Sequence, residues 1–464
     1  MGCVAGKQSA ATAVPTPASE LDGHIFLAVN GTSGGQASGQ LLALGCDSFE
    51  MSTKQGGKKL KVTVFNLRDG KLRQQGFEAL AAEVQRTARG EARAQVRVVA
   101  CGGDGTVKWV ISELSKVKCL SVPIGVIPFG TGNDFSRAFG WGASPPNPLV
   151  GKHMAALKQR LETVFFAEVG PLDTWLVELT LREGGAWKEV KDGKVTETHK
   201  GERSITHEMI NYFSVGADAQ IVFEFEQQRT KSQLGNKLVY VRKGTGMMVS
   251  PPKTLKKMGV AKDGVASKGK ALKVRPQDRI LAFLNIPSYS AGANVWFPGT
   301  GRNGTFFRQY VGDKKLECLS VASTTDVAIH IASGNSSTMG VTRVAQNGEY
   351  DIAFADKAHV YLQVDGEAIL AEDIATATVR HGYQVNVLRS PSAIAKPGRP
   401  DSYNSSTNNN KQRKSERKPS PQALALAASQ ALPTVELVVP NEQLVDSDDE
   451  HDAAHDEEHE DKDK

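Results

Sequence analysis

The sequence predicts an α/β protein with a mainly parallel sheet covered by helices on its faces, then a larger, mostly antiparallel β region, then a disordered C-terminal tail. Three observations carry that reading. Up to about residue 150, short β-branched runs alternate with helical stretches, the pattern of strands joined by helical crossovers. From there to about residue 390, extended runs continue while helical patterns become few. Beyond Pro391 the chain turns Ser/Asn-rich, then basic, then acidic, a composition that need not form a packed core.

The elements follow in order. Residues 1–20 are small, polar and Pro-containing, and are expected to be disordered. HIFLAVN (24–30), KVTVFNL (61–67), QVRVVAC (95–101) and IGVIPFG (124–130) read as buried strands, each ended by Gly or a turn residue. LRQQGFEALAAEVQRTA (72–88) and TVKWVISELSKV (106–117) read as helices. These make a first domain over 21–150. A second domain over 151–390 collects extended runs at 174–180, 208–215, 280–286, 316–322, 357–364 and 376–388, the last of which could return to the first domain. Two polar stretches, 181–203 and the lysine-rich 251–279, read as solvent-exposed insertions. Residues 391–464 form the low-complexity tail, whose His451, His455 and His459 read as part of a solvated acidic segment.

Composition narrows the function. The chain has 464 residues, 40% hydrophobic and 23% charged, ordinary for a globular protein, and lacks the run of about 18 apolar residues that a membrane-spanning helix needs. No secretory signal is written at the N-terminus, so an intracellular location is expected. Cys3, Cys46, Cys101, Cys119 and Cys318 are scattered with no CxxC pair, which excludes a disulfide framework and a cysteine-rich zinc module. The net charge of +5 divides unevenly: residues 442–464 carry −10, leaving +15 on the rest. A basic body suits a phosphate-rich ligand or an acidic membrane surface. Nucleic acid is not expected as a partner, because the charge is spread and no reading module is present.

The chemistry lies in three glycine-rich turns. ACGGDGTVKWV (100–110) runs from a strand end through Gly102, Gly103, Asp104, Gly105 and Thr106 into a helix. Such a turn aims backbone N–H groups and a helix N-terminus at an anion, and glycine lets the ligand approach the backbone. It is neither GxGxxG nor GxxxxGK[ST]. The grammar recurs at Gly130, Thr131, Gly132, Asn133 and Asp134, and again at Asn30, Ser33, Gly34 and Gly35. Turns at the carboxyl ends of neighbouring parallel strands converge on one crevice, so a nucleotide phosphate site is expected there. A DGE turn follows at 365–367, which by itself is an ordinary hairpin turn.

Together, SGG, CGGDGT and PFGTGNDF resemble the diacylglycerol kinase catalytic domain, within a superfamily that includes sphingosine, ceramide and NAD kinases and phosphofructokinases. LDTW (172–175), NYFSVGADAQIVFEFEQQR (211–229), NKLVYVRKG (236–244), LNIPSYSAGANVW (284–296) and QVDGEAI (363–369) are similar to the accessory region of the eukaryotic members. The likeness runs from about His24 to Leu388. It departs from the animal pattern in having no zinc module and no DxDxDG calcium loop, and Asn-Gly-Thr stands where Asn-Pro is more usual before Ser-Gly-Gly.

The resemblance implies transfer of the γ-phosphate of ATP, with Mg²⁺, to the primary hydroxyl of diacylglycerol. The three turns would hold the nucleotide, Asp104 would organise the metal, Asp365 would be the general base with Glu367 nearby, and Asp173 would meet the lipid headgroup. Related families give the base role to either turn, so Asp104 and Asp365 both stay candidates. The rivals are a kinase of a sphingoid base or ceramide, and a scaffold without activity. A peripheral position on the cytoplasmic face of a membrane is expected, with acylation at Gly2 and Cys3 and attraction of the lysines in 253–273 and 411–418 to anionic lipid. Gly6 stands where the acylation pattern usually has Ser or Thr. The sequence does not give an oligomeric state.

Overall fold

The computed structural model describes residues 21–34, 38–44, 47–227, 252–296, 306–322 and 340–391. Strands β1 (Gly23–Val29), β3 (Lys59–Asn66), β4 (Gln95–Gly102) and β5 (Ile124–Pro128) lie in the order β3-β1-β4-β5, all parallel. The antiparallel β2 (Ser48–Ser52), which the sequence reading did not anticipate, edges this sheet on β3. Every residue of β1 and β5 is buried, as expected of strands covered on both faces.

Helices α2 (Gly70–Ala88) and α3 (Asp104–Lys116) cover the sheet. Asp69 caps α2 by accepting the Leu72 N–H, and α2 turns Phe77 and Leu80 to the core. α3 turns Val107, Val110, Ile111 and Leu114 inward, with Asp104 in its first turn and Lys116 in its last, both favourable to the helix dipole. α5 (Ala155–Phe165) buries Leu157, Leu161 and Val164 in the same core.

Two long strands carry the chain into the β region. β6 (Glu168–Lys191) and β17 (Glu367–Arg389) pair antiparallel along most of their lengths, and β17 reaches the first sheet where Val387 pairs parallel with Ile124. The Trp141 indole N–H donates to the Leu388 carbonyl at 2.8 Å, fixing the same junction. A second core holds Trp175, Trp187, Phe213, Phe283 and Tyr350 among its members. β9 (Tyr212–Gly216) lies between β12 (Ile280–Leu284) and β16 (His359–Val364), antiparallel to both.

Both expected insertions are largely regular structure. β6 continues to Lys191, turns at Asp192-Gly193 and returns as β7 (Lys194–Thr198), with both turn residues at positive φ and Trp187 buried beneath. This is the Asp-Gly hairpin that polar, lysine-rich strands obscured. Within 252–279, Val260–Ser267 forms a strand on β15 (Glu349–Phe354), and Leu255, Met258 and Val265 are buried. Its lysines Lys253, Lys256, Lys257, Lys262, Lys268, Lys270 and Lys273 remain on the surface.

Candidate active site

The glycine turns meet in space. Phe129 donates its N–H to the Gly102 carbonyl at 2.8 Å, and Asn30 donates its N–H to the Cys101 carbonyl at 3.1 Å, joining the three strand ends. A Cβ on Gly130 would lie 2.7 Å from the Gly103 Cα, and one on Gly34, whose φ is +63°, would lie 2.4 Å from the Phe129 carbonyl oxygen. The backbones touch, so these positions are glycine by close approach. Gly105 differs, having open space where a Cβ would be. Asn30 Nδ2 donates to Thr106 Oγ1 at 3.1 Å, and Ser33 donates its N–H to the Asn30 carbonyl at 3.0 Å. Thr131 is exposed at the rim and Gly132 partly so. Gly35, Gly2, Cys3 and 411–418 lie outside the described residues.

Asn133 takes the left-handed conformation, φ 52°, and donates to the Gly130 carbonyl at 2.8 Å and the Ala143 carbonyl at 2.7 Å. That turn starts α4 (Asp134–Ala138). Asp104 reaches across to it: Oδ2 accepts the Asp134 N–H at 3.1 Å and Oδ1 the Phe135 N–H at 2.8 Å. A carboxylate offers about four acceptor positions, so Asp104 keeps about two.

Asp134 is filled. Its oxygens accept from the Ser288 hydroxyl at 2.5 Å, the Ala291 and Gly292 N–H groups at 3.1 Å each, and the Tyr212 hydroxyl at 3.4 Å. Burial first, and Asp104 second, push its carboxyl up to about 6. Asp134 thus ties the first sheet to the segment over 288–292.

Asp365 sits at φ 53° with Gly366 at φ 86°, between β16 and β17, a two-residue hairpin turn with positive φ at both positions. Its side chain is only 4% exposed. Oδ2 accepts the Ile210 N–H at 2.9 Å, and Oδ1 accepts the Asn211 N–H at 2.8 Å and the Tyr212 N–H at 3.1 Å. About one acceptor position therefore remains, on Oδ2. Lys108 Nζ stands 3.9 Å from that oxygen. Burial pushes the Asp365 carboxyl up to about 6, against the pull of Lys108 and the three backbone donors. Glu367, two residues on, is exposed.

Lys108 is four residues after Asp104 on α3, the same helix face, so one helix links the glycine turn to the DGE turn. The sequence reading missed Lys108, although the i,i+4 spacing was visible. It also missed Tyr212 and Ser288, whose roles depend on strand register.

Asp173 is fully buried. Oδ1 accepts from Gln384 Nε2 at 2.9 Å and lies 2.9 Å from His381 Nε2, while Oδ2 accepts the Lys314 N–H at 2.6 Å. These partners take up most of the acceptor positions of its carboxylate. The cavity of about 550 Å³ lined by Leu21, Lys58, Lys59, Arg93 and Phe166 lies at the amino ends of the parallel strands, opposite the glycine turns.

Among the described residues, no three His, Cys, Asp or Glu side chains group to hold an ion. The donor set fits a magnesium ion carried mainly by nucleotide phosphates and waters, with Asp104 as the carboxylate that has acceptor positions to spare.

The molecule is thus an α/β domain whose glycine-rich turns converge at the carboxyl ends of parallel strands, joined to a β region that brings Asp365 close to Lys108. Comparison gives its family. Residues 24–166 match the family model of the diacylglycerol kinase catalytic domain, and 208–368 that of the diacylglycerol kinase accessory domain. The chain belongs to the diacylglycerol kinase family. It is 27% identical over 422 residues to diacylglycerol kinase 5 of Arabidopsis thaliana, covering 81% of this chain and 78% of that one. It is 29% identical to rat diacylglycerol kinase zeta over 59% of this chain and to human diacylglycerol kinase theta over 58%, spanning only 28% and 27% of those longer proteins. No described helix is long and apolar enough to cross a membrane.

Proposed function

We propose that this chain transfers the γ-phosphate of ATP to the primary hydroxyl of 1,2-diacylglycerol, forming phosphatidic acid and ADP, from a peripheral position on the cytoplasmic face of a membrane. The observation that supports this most is the approach of Asp365, on the accessory hairpin, to Lys108 of the helix that Asp104 begins.

The turns supply backbone N–H groups, and α3 its N-terminus, to the phosphates, while Asn30 and Thr106 hold the first two turns in register. A magnesium ion, when bound beside Asp104, offsets phosphate charge. The remaining acceptor position on Asp365 Oδ2 takes the proton of the attacking hydroxyl as its oxygen forms the new bond to phosphorus and the bond to the β-phosphate oxygen breaks. A carboxyl raised to about 6 suits this work, being mostly ionised at neutral pH while a stronger base than an ordinary Asp. Lys108 favours the ionised form and adds positive charge beside the transferring group. Glu367 stands at the rim, and Asp173 holds the surrounding strands.

Supplying ATP and Mg²⁺ with diacylglycerol, sphingosine or ceramide in mixed micelles tests the substrate class. Label in phosphatidic acid alone is the expected result. Label in a sphingolipid would move the chain to another kinase class, and no label in any lipid would favour a scaffold.

A further inference from the structure

The segment over 306–315 presents two aromatic rings to solvent on a backbone that is held near both ends. Phe307 is 72% exposed and Tyr310 59%. An isolated exposed ring on loose chain would need no explanation. Here Gln346 Oε1 accepts the Phe307 N–H at 2.7 Å, and Gln346 Nε2 and Trp296 Nε1 each donate to the Phe307 carbonyl at 3.1 Å. Gln346 is itself held by the buried Glu317, to whose Oε1 it donates at 3.1 Å. Phe306 packs edge-on against Trp296. At the far end, Asp173 accepts the Lys314 N–H and Gln384 donates to the Gly312 carbonyl at 3.0 Å.

The charge around the rings is basic. Arg308, Lys314 and Lys315 are exposed beside them, against the single acid Asp313, and Lys315 Nζ lies 5.9 Å from the Phe307 ring centre. Rings that end in solvent beside cationic side chains match the boundary between acyl chains and anionic headgroups. The chain that holds Asp134 through Ser288, Ala291 and Gly292 runs on to Trp296, which holds Phe307.

We propose that Phe307 and Tyr310, flanked by Arg308, Lys314 and Lys315, form the surface that seats this protein on an anionic bilayer. The inference deepens the lipid-kinase reading and rests on it for its purpose. It makes Asp173 a positioning residue for the membrane surface, through Lys314.

The test uses the full chain carrying Gly2→Ala, so that no acyl group contributes, sedimented with phosphatidylcholine vesicles with and without phosphatidylserine. The parent chain should bind the phosphatidylserine vesicles. Phe307→Ala/Tyr310→Ala should weaken that binding by about tenfold or more, as expected for withdrawing two inserted rings, with melting temperature unchanged. Arg308→Glu/Lys315→Glu should weaken it further at low salt than at high salt. Unchanged partitioning of the aromatic variant, or no vesicle binding by the parent, would overturn the proposal. So would a dimer in sedimentation velocity that the aromatic variant abolishes, which would assign the surface to a second copy. Sedimentation does not require catalysis, so loss of phosphotransfer in every form with vesicle binding intact would fault the kinase reading alone.

Discussion

The carboxylate of Asp104 caps the helix that Asp134 begins, accepting the N–H groups of Asp134 and Phe135 at 3.1 and 2.8 Å. One glycine turn therefore organises the next. Asp104→Ala should cost about 1–2 kcal/mol in chemical denaturation by leaving the second helix uncapped. Asp104→Asn retains one acceptor and should cost less. Both should lose at least about a hundredfold in Mg²⁺-dependent phosphotransfer, since both lose the charge beside the phosphates.

Glycines in the turns should respond differently to a methyl group. Gly130→Ala drives a Cβ to 2.7 Å from the Gly103 backbone, so it should destabilise by about 1–3 kcal/mol. Gly105→Ala meets nothing within 4 Å and lies in the first turn of α3, where Ala is the better helix former. Its melting temperature should hold or rise. Nucleotide titration should nevertheless show weakened binding, because the open space beside Gly105 is where a phosphate would approach.

Titration of Asp365 gives a pH prediction with a definite sign. Its carboxyl is raised from the ordinary 3.8 to about 6, so a step needing the ionised base rises with pH through about 6 and levels above it. Lys108 lowers this value, so Lys108→Met should move the midpoint of the pH–rate profile upward. Stability runs the other way. The folded protein holds these protons more tightly than the unfolded chain, so the contribution of Asp365, and of Asp134, is present below 3.8 and is lost as pH rises to about 6. Urea unfolding of Asp365→Asn between pH 4 and 7 should show a smaller pH-dependent loss than the parent chain.

Asp173 separates a scaffold from a substrate contact. Removing a fully buried carboxylate that serves His381, Gln384 and the Lys314 N–H should cost about 1–3 kcal/mol. Asp173→Ala should lower the melting temperature and weaken vesicle binding together. A higher KM for lipid with stability untouched would return Asp173 to the substrate.

The parallel sheet was legible because buried strands write themselves as apolar runs and glycine marks their ends, as at Gly102 and Gly130. The convergence of the turns followed from strand order. Residues 181–203 and 251–279 were harder: their strands face solvent, and charged side chains mask the period of two that buried Trp187 and Val265 reveal. Local grammar marks the turns that carry Asp104 and Asp365, which the structure describes as a helix start and a two-residue hairpin turn. Contacts set by strand register were not legible, since Tyr212 meets Asp134 and Asp365 only because β9 pairs with β16 and β12. The partners of Asp173 were not legible either, because His381, Gln384 and Lys314 reach it from distant segments of the chain.

Phosphoryl transfer to diacylglycerol with Asp365 as base is measurable as single-turnover transfer of labelled γ-phosphate from ATP to dispersed diacylglycerol, comparing the parent chain with Asp365→Asn at matched melting temperature. Labelled phosphatidic acid from the parent, slowed by about a hundredfold or more in the variant and without its pH dependence near 6, is the predicted result. An Asp365→Asn variant that transfers label at the parent rate with the same pH profile would remove Asp365 from the role of base.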